Sequence, residues 1–193
     1  VGLFLIPGLG APVSLASQNI ENCFIASKGY VDHRGVVTTG LEKADLEAAK
    51  SKFQGKNISV VAVCSKFSTR NNLLEISARD YFKENGFQVF ISSDYSGKLN
   101  FPRRAKTVFL TASLKSAYKK AVNAISEGIA TLGIHCPVYI LKADGGAVTL
   151  EESMRYPLES VLSGPAASIM GALYSKNILG REETLVLDIG GTT

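Results

Sequence analysis

Two rhythms of apolar residues run through the chain. Continuous apolar stretches at 1–6, 58–63, 87–91 and 137–142 read as strands, and those at 1–6 and 185–187 as strands buried on both faces. Helical spacing fills the gaps between them. Leu46, Ala49 and Phe53 share one face of a helix predicted over 42–54, with Gly55 as its C-cap. Leu74, Ala78, Tyr81 and Phe82 face inward from a second helix over 72–85, stopped by Gly86. Residues 42–91 thus alternate helix, strand, helix, strand, as in a parallel layered fold with right-handed crossovers. Pro102 suits the first turn of a long helical region over 103–132, with an expected break near Thr111-Ala112-Ser113 and Gly133 at its end. Thr149-Leu150-Glu151-Glu152 is a capping box for a short helix that finishes before Pro157. Ser163-Gly164-Pro165 opens a last helix, to about 176, whose alanines and glycines leave a nearly bald surface for close packing. Short strands at 23–26, 29–31 and 36–38, joined by polar turns, predict a small antiparallel meander. The expected divisions are 1–38 (strand and meander), 39–146 (layered α/β core) and 147–193 (helical segment ending in a loop).

Composition narrows the class. The chain has 193 residues, 46% hydrophobic and 20% charged, enough for one compact domain or one and a half. Its net charge of +4 is scattered, with basic doublets only at Arg103-Arg104 and Lys119-Lys120, so nucleic acid is not an expected partner. No apolar run approaches the roughly 18 to 20 residues of a membrane span, and 1–6 lacks the basic flank of a signal peptide. Cys23, Cys64 and Cys136 form no Cys-x-x-Cys pair and read as reduced, mostly buried thiols of a cytoplasmic protein. His33 and His135 are the only histidines, too few for a histidine-rich metal site. The sequence opens inside an apolar strand without an initiating Met and closes inside a loop, so a piece of a longer protein is expected.

Candidate chemistry gathers in loops after strands. The sharpest is Leu185-Val186-Leu187-Asp188-Ile189-Gly190-Gly191-Thr192-Thr193, a buried-strand pattern running into a carboxylate, two glycines and two hydroxyls. Glycines let backbone amides close on phosphate oxygens, threonine hydroxyls add donors, and Asp188 can hold a phosphate-bound Mg2+. Asp144-Gly145-Gly146, after the strand at 137–142, is a second carboxylate-diglycine turn. Ser65, Ser68, Arg70 and Asn71 follow the strand at 58–63, where open α/β sheets gather ligands. Helix capping by Asn71 or its neighbours explains the same residues. At Ser163-Gly164 the helix N-terminus could take an anion, and close packing of the bald helix face is the favoured account of the same residues. Gly8-x-Gly10 lacks the third glycine of a dinucleotide fingerprint, and Asp32-His33 is read as a polar turn. P-loop, serine-hydrolase and zinc-protease motifs are missing from the sequence.

Six stretches, taken in order, resemble the hydantoinase/oxoprolinase family, which includes the hydantoinase A subunit, 5-oxoprolinase and an acetone carboxylase subunit. They are Val31-Asp32-His33-Arg34-Gly35, Phe67-Ser68-Thr69-Arg70-Asn71 and Leu99-Asn100-Phe101-Pro102-Arg103-Arg104-Ala105. Lys142-Ala143-Asp144-Gly145-Gly146, Leu162-Ser163-Gly164-Pro165-Ala166-Ala167-Ser168 and Asp188-Ile189-Gly190-Gly191-Thr192-Thr193 complete the set. The resemblance implies an incomplete lobe of a ribonuclease H-like, actin-like ATPase, with a parallel or mixed sheet, flanking helices and nucleotide bound between two lobes. It makes 147–193 the start of the second lobe and places the first phosphate loop upstream of Val1, so this piece alone is not expected to turn over. ATP and Mg2+ are the implied cofactors. Asp188 would position the metal; Gly190, Gly191, Thr192 and Thr193 would hold phosphate; Asp144, Gly145 and Gly146 would face the cleft. The implied activity is ATP-dependent hydrolysis of a cyclic amide through phosphorylation of its carbonyl. Implied partners are the remainder of the chain and a second subunit. Alternatives are an acetone carboxylase-like or kinase-like phosphotransferase and a non-enzymatic actin-like activator ATPase.

Overall fold

The opening apolar run forms β1 (Gly2–Ile6), buried at every residue. The computed structural model describes residues 1–20, 22–180, 183, 185–187 and 189. The chain divides into two units, Val1–Leu114 and Lys115–Thr193. In chain order the first unit continues with α1 (Val13–Ala16), β2 (Phe24–Ala26), β3 (Tyr30–Val31), β4 (Val37–Thr39) and α2 (Lys43–Gln54). Then come β5 (Val60–Ser65), α3 (Leu73–Glu84), β6 (Gln88–Ile91) and the first part of α4 (Phe101–Thr131).

Four of these strands make one parallel sheet in the order β2-β1-β5-β6. Its two inner strands are apolar without alternation because both faces are covered. Phe4, Ile6, Val61 and Val63 pack on Leu46, Ala49 and Phe53 of α2 and on Leu74, Ala78 and Phe82 of α3. Edge-to-face rings tighten that side, Phe4 on Phe82 at 5.3 Å and Phe82 on Phe87 at 5.8 Å. Leu3, Leu5, Ala62, Cys64 and Phe90 point the other way, onto Phe101, Ala105, Val108 and Ala112 of α4. The α/β class and the parallel sheet agree with the sequence reading.

The first unit departs from expectation in one pairing and in one helix. β2 joins the main sheet beside β1 in parallel, so the expected meander reduces to a two-stranded hairpin, β3 with β4. α4 is unbroken at 111–113: Ser113 returns its hydroxyl to Phe109 O at 2.8 Å, and Thr111 and Ala112 are buried, so the small residues pack without interrupting the helix. Asn100 Oδ1 accepts the Arg103 amide at 3.0 Å and caps its start.

The second unit holds the rest of α4, β7 (Tyr139–Leu141), β8 (Ala147–Thr149), α5 (Leu150–Arg155), a single 3-10 turn over Pro157–Ser160 and α6 (Ser163–Leu179). β7 pairs antiparallel with β8 and does not extend the parallel sheet. The chain reverses directly after Leu141, and a strand that turns back in three residues makes its ladder with itself. The Thr149–Glu152 capping box forms as expected, Glu152 N donating to Thr149 Oγ1 at 3.2 Å. Leu185, Val186 and Leu187 belong to no strand and are 94%, 39% and 78% exposed, so the buried strand expected there is not formed. A segment apolar on both faces needs a sheet neighbour, and the only sheet of this unit among the described residues is β7–β8. No helix among the described residues is long and apolar enough to cross a membrane.

Candidate functional site

Chain order sends the loops after β1 and β5 in opposite directions, the arrangement that opens a crevice outside the carboxyl ends of parallel strands. At the ends of β5 and β6 the structure places a buried polar network. Glu75 of α3, wholly buried, accepts Ser65 N at 2.7 Å, Ser92 Oγ at 2.6 Å and Ser93 N at 3.0 Å. Ser68 Oγ lies 3.2 Å from Ser92 Oγ. Arg104 of α4, equally buried, donates to Ser65 O, to Lys66 O at 3.3 Å and to Lys98 O at 2.9 Å. These side chains satisfy strand-end amides and carbonyls that would otherwise be orphaned, a structural task.

Of the residues read as ligand candidates here, Ser65 and Ser68 are buried in that network. Asn71 caps, its Oδ1 accepting Leu73 N at 3.0 Å while Nδ2 donates to Gly35 O at 2.8 Å. Arg70 is exposed. Glu75 and Arg104 did not figure among the candidates, yet a signal existed. Glu75 stands three and seven residues before Ala78 and Phe82, and Arg104 four and seven before Val108 and Thr111, on the buried faces of their helices. Cys64 is buried, which pushes its thiol up to about 12 and removes it as a nucleophile at neutral pH. Cys23 is half-buried and Cys136 exposed, so burial of the thiols is general only at Cys64. The described residues bring together no group of three or more His, Cys, Asp or Glu able to hold a metal ion.

In the second unit the Asp144 motif is the β7–β8 turn. Gly145 N donates to Lys142 O at 3.0 Å, Lys142 N to Gly146 O at 2.7 Å, and Gly145 takes φ +85°, the left-handed residue of a three-residue hairpin loop. The Asp32–Gly35 turn between β3 and β4 repeats the pattern, Gly35 N to Asp32 O at 3.0 Å and φ +87°. Asp144 Oδ1 accepts Gly146 N at 2.9 Å and Oδ2 meets Lys142 Nζ at 3.0 Å; Glu159 Oε2 approaches the same ammonium at 3.6 Å. The Gly146 amide and then Lys142 hold the Asp144 carboxyl below the usual carboxylate range, and Asp144 in turn raises Lys142. Both glycine amides of the turn are therefore engaged within it. A Cβ at Gly145 would stand 3.1 Å from Met170 Sδ, so the turn lies against α6. Beside it a cavity of about 240 Å3 is lined by Lys142, Glu152, Arg155, Tyr156, Glu159 and Ser160 among others.

α6 begins after Leu162, which takes φ +65° without a side-chain cap. Ile169, Met170, Leu173 and Tyr174 are exposed along it. Asp188, Gly190, Gly191, Thr192 and Thr193 lie outside the described residues.

A family model described as hydantoinase/oxoprolinase matches residues 104–193. The 5-oxoprolinase of Saccharomyces cerevisiae is 32% identical over 115 residues, 58% of this chain and 9% of that protein. The acetophenone carboxylase gamma subunit of Aromatoleum aromaticum is 23% identical over 171 residues, 84% of this chain and 23% of that one. Among solved structures, the ATP-dependent caprolactamase of Pseudomonas jessenii superposes with a TM-score of 0.78 at 19% identity, over 99% of this chain and 30% of that one, and shares the fold. The chain thus spans a quarter or less of the length of these curated relatives. The match covers the glycine turn packed on α6 and the glycine-rich end of the sequence beyond it, so over residues 104–193 the chain is similar to the hydantoinase/oxoprolinase family.

Proposed function

We propose that the chain is part of an ATP-dependent enzyme that opens cyclic amides, and that it supplies one wall of the nucleotide site. The observation that carries this reading is the coincidence of the family match over 104–193 with the packing of the Asp144–Gly146 turn against α6. The relatives support the coarser part, since a 5-oxoprolinase and an ATP-dependent caprolactamase are both named for cyclic amides.

A ring amide is a poor electrophile because its nitrogen donates into the carbonyl. ATP would supply a phosphoryl group to the amide oxygen, making the carbonyl carbon a better electrophile for water. On this reading the lobe is of the actin-like, ribonuclease H-related type, and 147–193 opens its second half. Asp188 holds Mg2+, and Gly190, Gly191, Thr192 and Thr193 bind phosphate through amides and hydroxyls. Asp144, Gly145 and Gly146 face the cleft as a rigid wall. They do not fit a phosphate cradle, because the amides of Gly145 and Gly146 are already donating inside the turn and the Asp144 carboxylate is held by Lys142. No chemical step is routed through them. A second subunit completes the assembly.

A second reading, an acetone carboxylase-like phosphotransferase acting on a ketone, is favoured by the acetophenone carboxylase relative, whose alignment covers 84% of the chain. One experiment separates the two. The full-length protein, with any subunit that copurifies, is incubated with ATP and Mg2+ and either 5-oxoproline, hydantoin and caprolactam or acetone, acetophenone and bicarbonate. Ring opening with ADP or phosphate release supports the proposal. Bicarbonate-dependent carboxylation alone replaces it with the second reading, and no turnover on either set overturns both.

A further inference from the structure

The first unit has a cavity that the nucleotide reading does not use. It measures about 370 Å3, within the range of small-ligand sites, and is lined by Gly8, Leu9, Ser27, Lys28, Tyr30, Thr38 and Thr39. Two loops and a hairpin build it: the loop leaving β1, the loop leaving β2, and Tyr30, Thr38 and Thr39 of the β3–β4 hairpin. It therefore sits outside the carboxyl ends of parallel strands, where this architecture places ligands.

Besides Gly8 and Leu9 the lining holds three hydroxyl residues, a tyrosine and a lysine, and no carboxylate. Ser27 is 5% exposed and fixed by its amide, which donates to Leu5 O at 2.8 Å. Its hydroxyl is buried with no hydrogen-bond partner among the described residues, a state that costs stability and calls for an explanation. Lys66 reaches the rim, its Nζ donating to Leu9 O at 2.6 Å. The Lys28 ammonium meets Glu42 at 3.4 Å across an exposed contact that solvent screens, while the Lys28 amide donates to Asp45 Oδ2 at 2.8 Å.

We propose that this cavity is a binding site for the oxyanion of a small molecule, a carboxylate or a phosphate. Its acceptor oxygens complete Ser27, and the ammonium groups of Lys28 and Lys66 balance its charge. The inference stands on the first unit alone and survives failure of the ATP-dependent reading.

Amide-resolved NMR of the full chain tests it, with inorganic phosphate and acetate titrated separately at ionic strength held constant by sodium chloride. Saturable shifts confined to Gly8, Leu9, Ser27, Lys28, Thr38 and Thr39 are expected. Response to phosphate alone assigns a phosphate-bearing ligand, response to acetate alone a carboxylate, and response to both an unselective oxyanion site; each supports the proposal. Ser27→Ala should weaken binding about tenfold, the loss typical of one charge-assisted hydrogen bond. The melting temperature of that variant should stay level or rise, which a purely structural hydroxyl would not allow. Lys28→Gln, on an exposed side chain, should weaken binding without touching the fold. Lack of saturable shifts with either anion, or affinity unchanged in both variants, overturns the proposal.

Discussion

Glu75 shows how one buried carboxyl side chain can be spent on the protein's own strand ends. It ends three donors at the carboxyl edges of β5 and β6, two of them strand-end amides. Glu75→Ala would leave those donors buried and unpaired, at a cost of about 3 kcal/mol or more. Urea denaturation measures it, and a loss below about 1 kcal/mol would contradict the assignment. Asp32 performs the same service in the β3–β4 turn, accepting the amides of Arg34 and Val36 at 2.9 Å each. The Val36 amide, ahead of the Arg34 contacts, lowers its pKa. A carboxyl depressed in the folded state contributes stability that is complete above its unfolded value, about 3.9, and is lost as pH falls through the folded value. The stability gap between the wild type and Asp32→Asn should therefore hold from neutral pH to about 5 and close as pH drops below about 4. A gap that stays constant down to pH 2 would show that Asp32 acts by packing.

Elements repeat that economy of design at turns and caps. Both hairpins end in the same three-residue loop with glycine at the left-handed position, Gly35 in one and Gly145 in the other. α5 starts on a full capping box, so Thr149→Ala should destabilise the second unit by about 1 kcal/mol, seen as earlier amide exchange across α5 with β1 and β5 unaffected. Unchanged exchange in α5 would mean that the helix is held by packing alone. These features were legible in the sequence because they are local: Asp-Gly-Gly, Thr-x-x-Glu and the 3.6-residue spacing of Leu46, Ala49 and Phe53 each name their own geometry. Strand partners were not legible. Phe24–Ala26 and Tyr139–Leu141 read alike as short apolar strands, yet one joins the parallel sheet and the other pairs with its own hairpin.

For the molecule as a whole, the two units carry different parts of the reading. The first is a sheet covered on both faces, with the donor-lined cavity at its carboxyl end. The second is a hairpin and helices that the family match includes in full. On the proposed reading the nucleotide needs a phosphate loop from the other lobe. Isothermal titration of ATP and Mg2+ should then show no tight binding to the 193-residue chain and clear binding to the full-length protein. Tight binding to the chain alone would sink the two-lobe view.

Most element types and the α/β class were set by sequence alone, because apolar periodicity and turn glycines are written in neighbouring residues. Only the tertiary structure decided that β2 lies beside β1, that Glu75 and Arg104 are buried against strand ends, and that the amides of Gly145 and Gly146 are spent inside their own turn. Each of those outcomes depends on which backbone groups far along the chain are left to be satisfied, and that is fixed only when the chain has closed on itself.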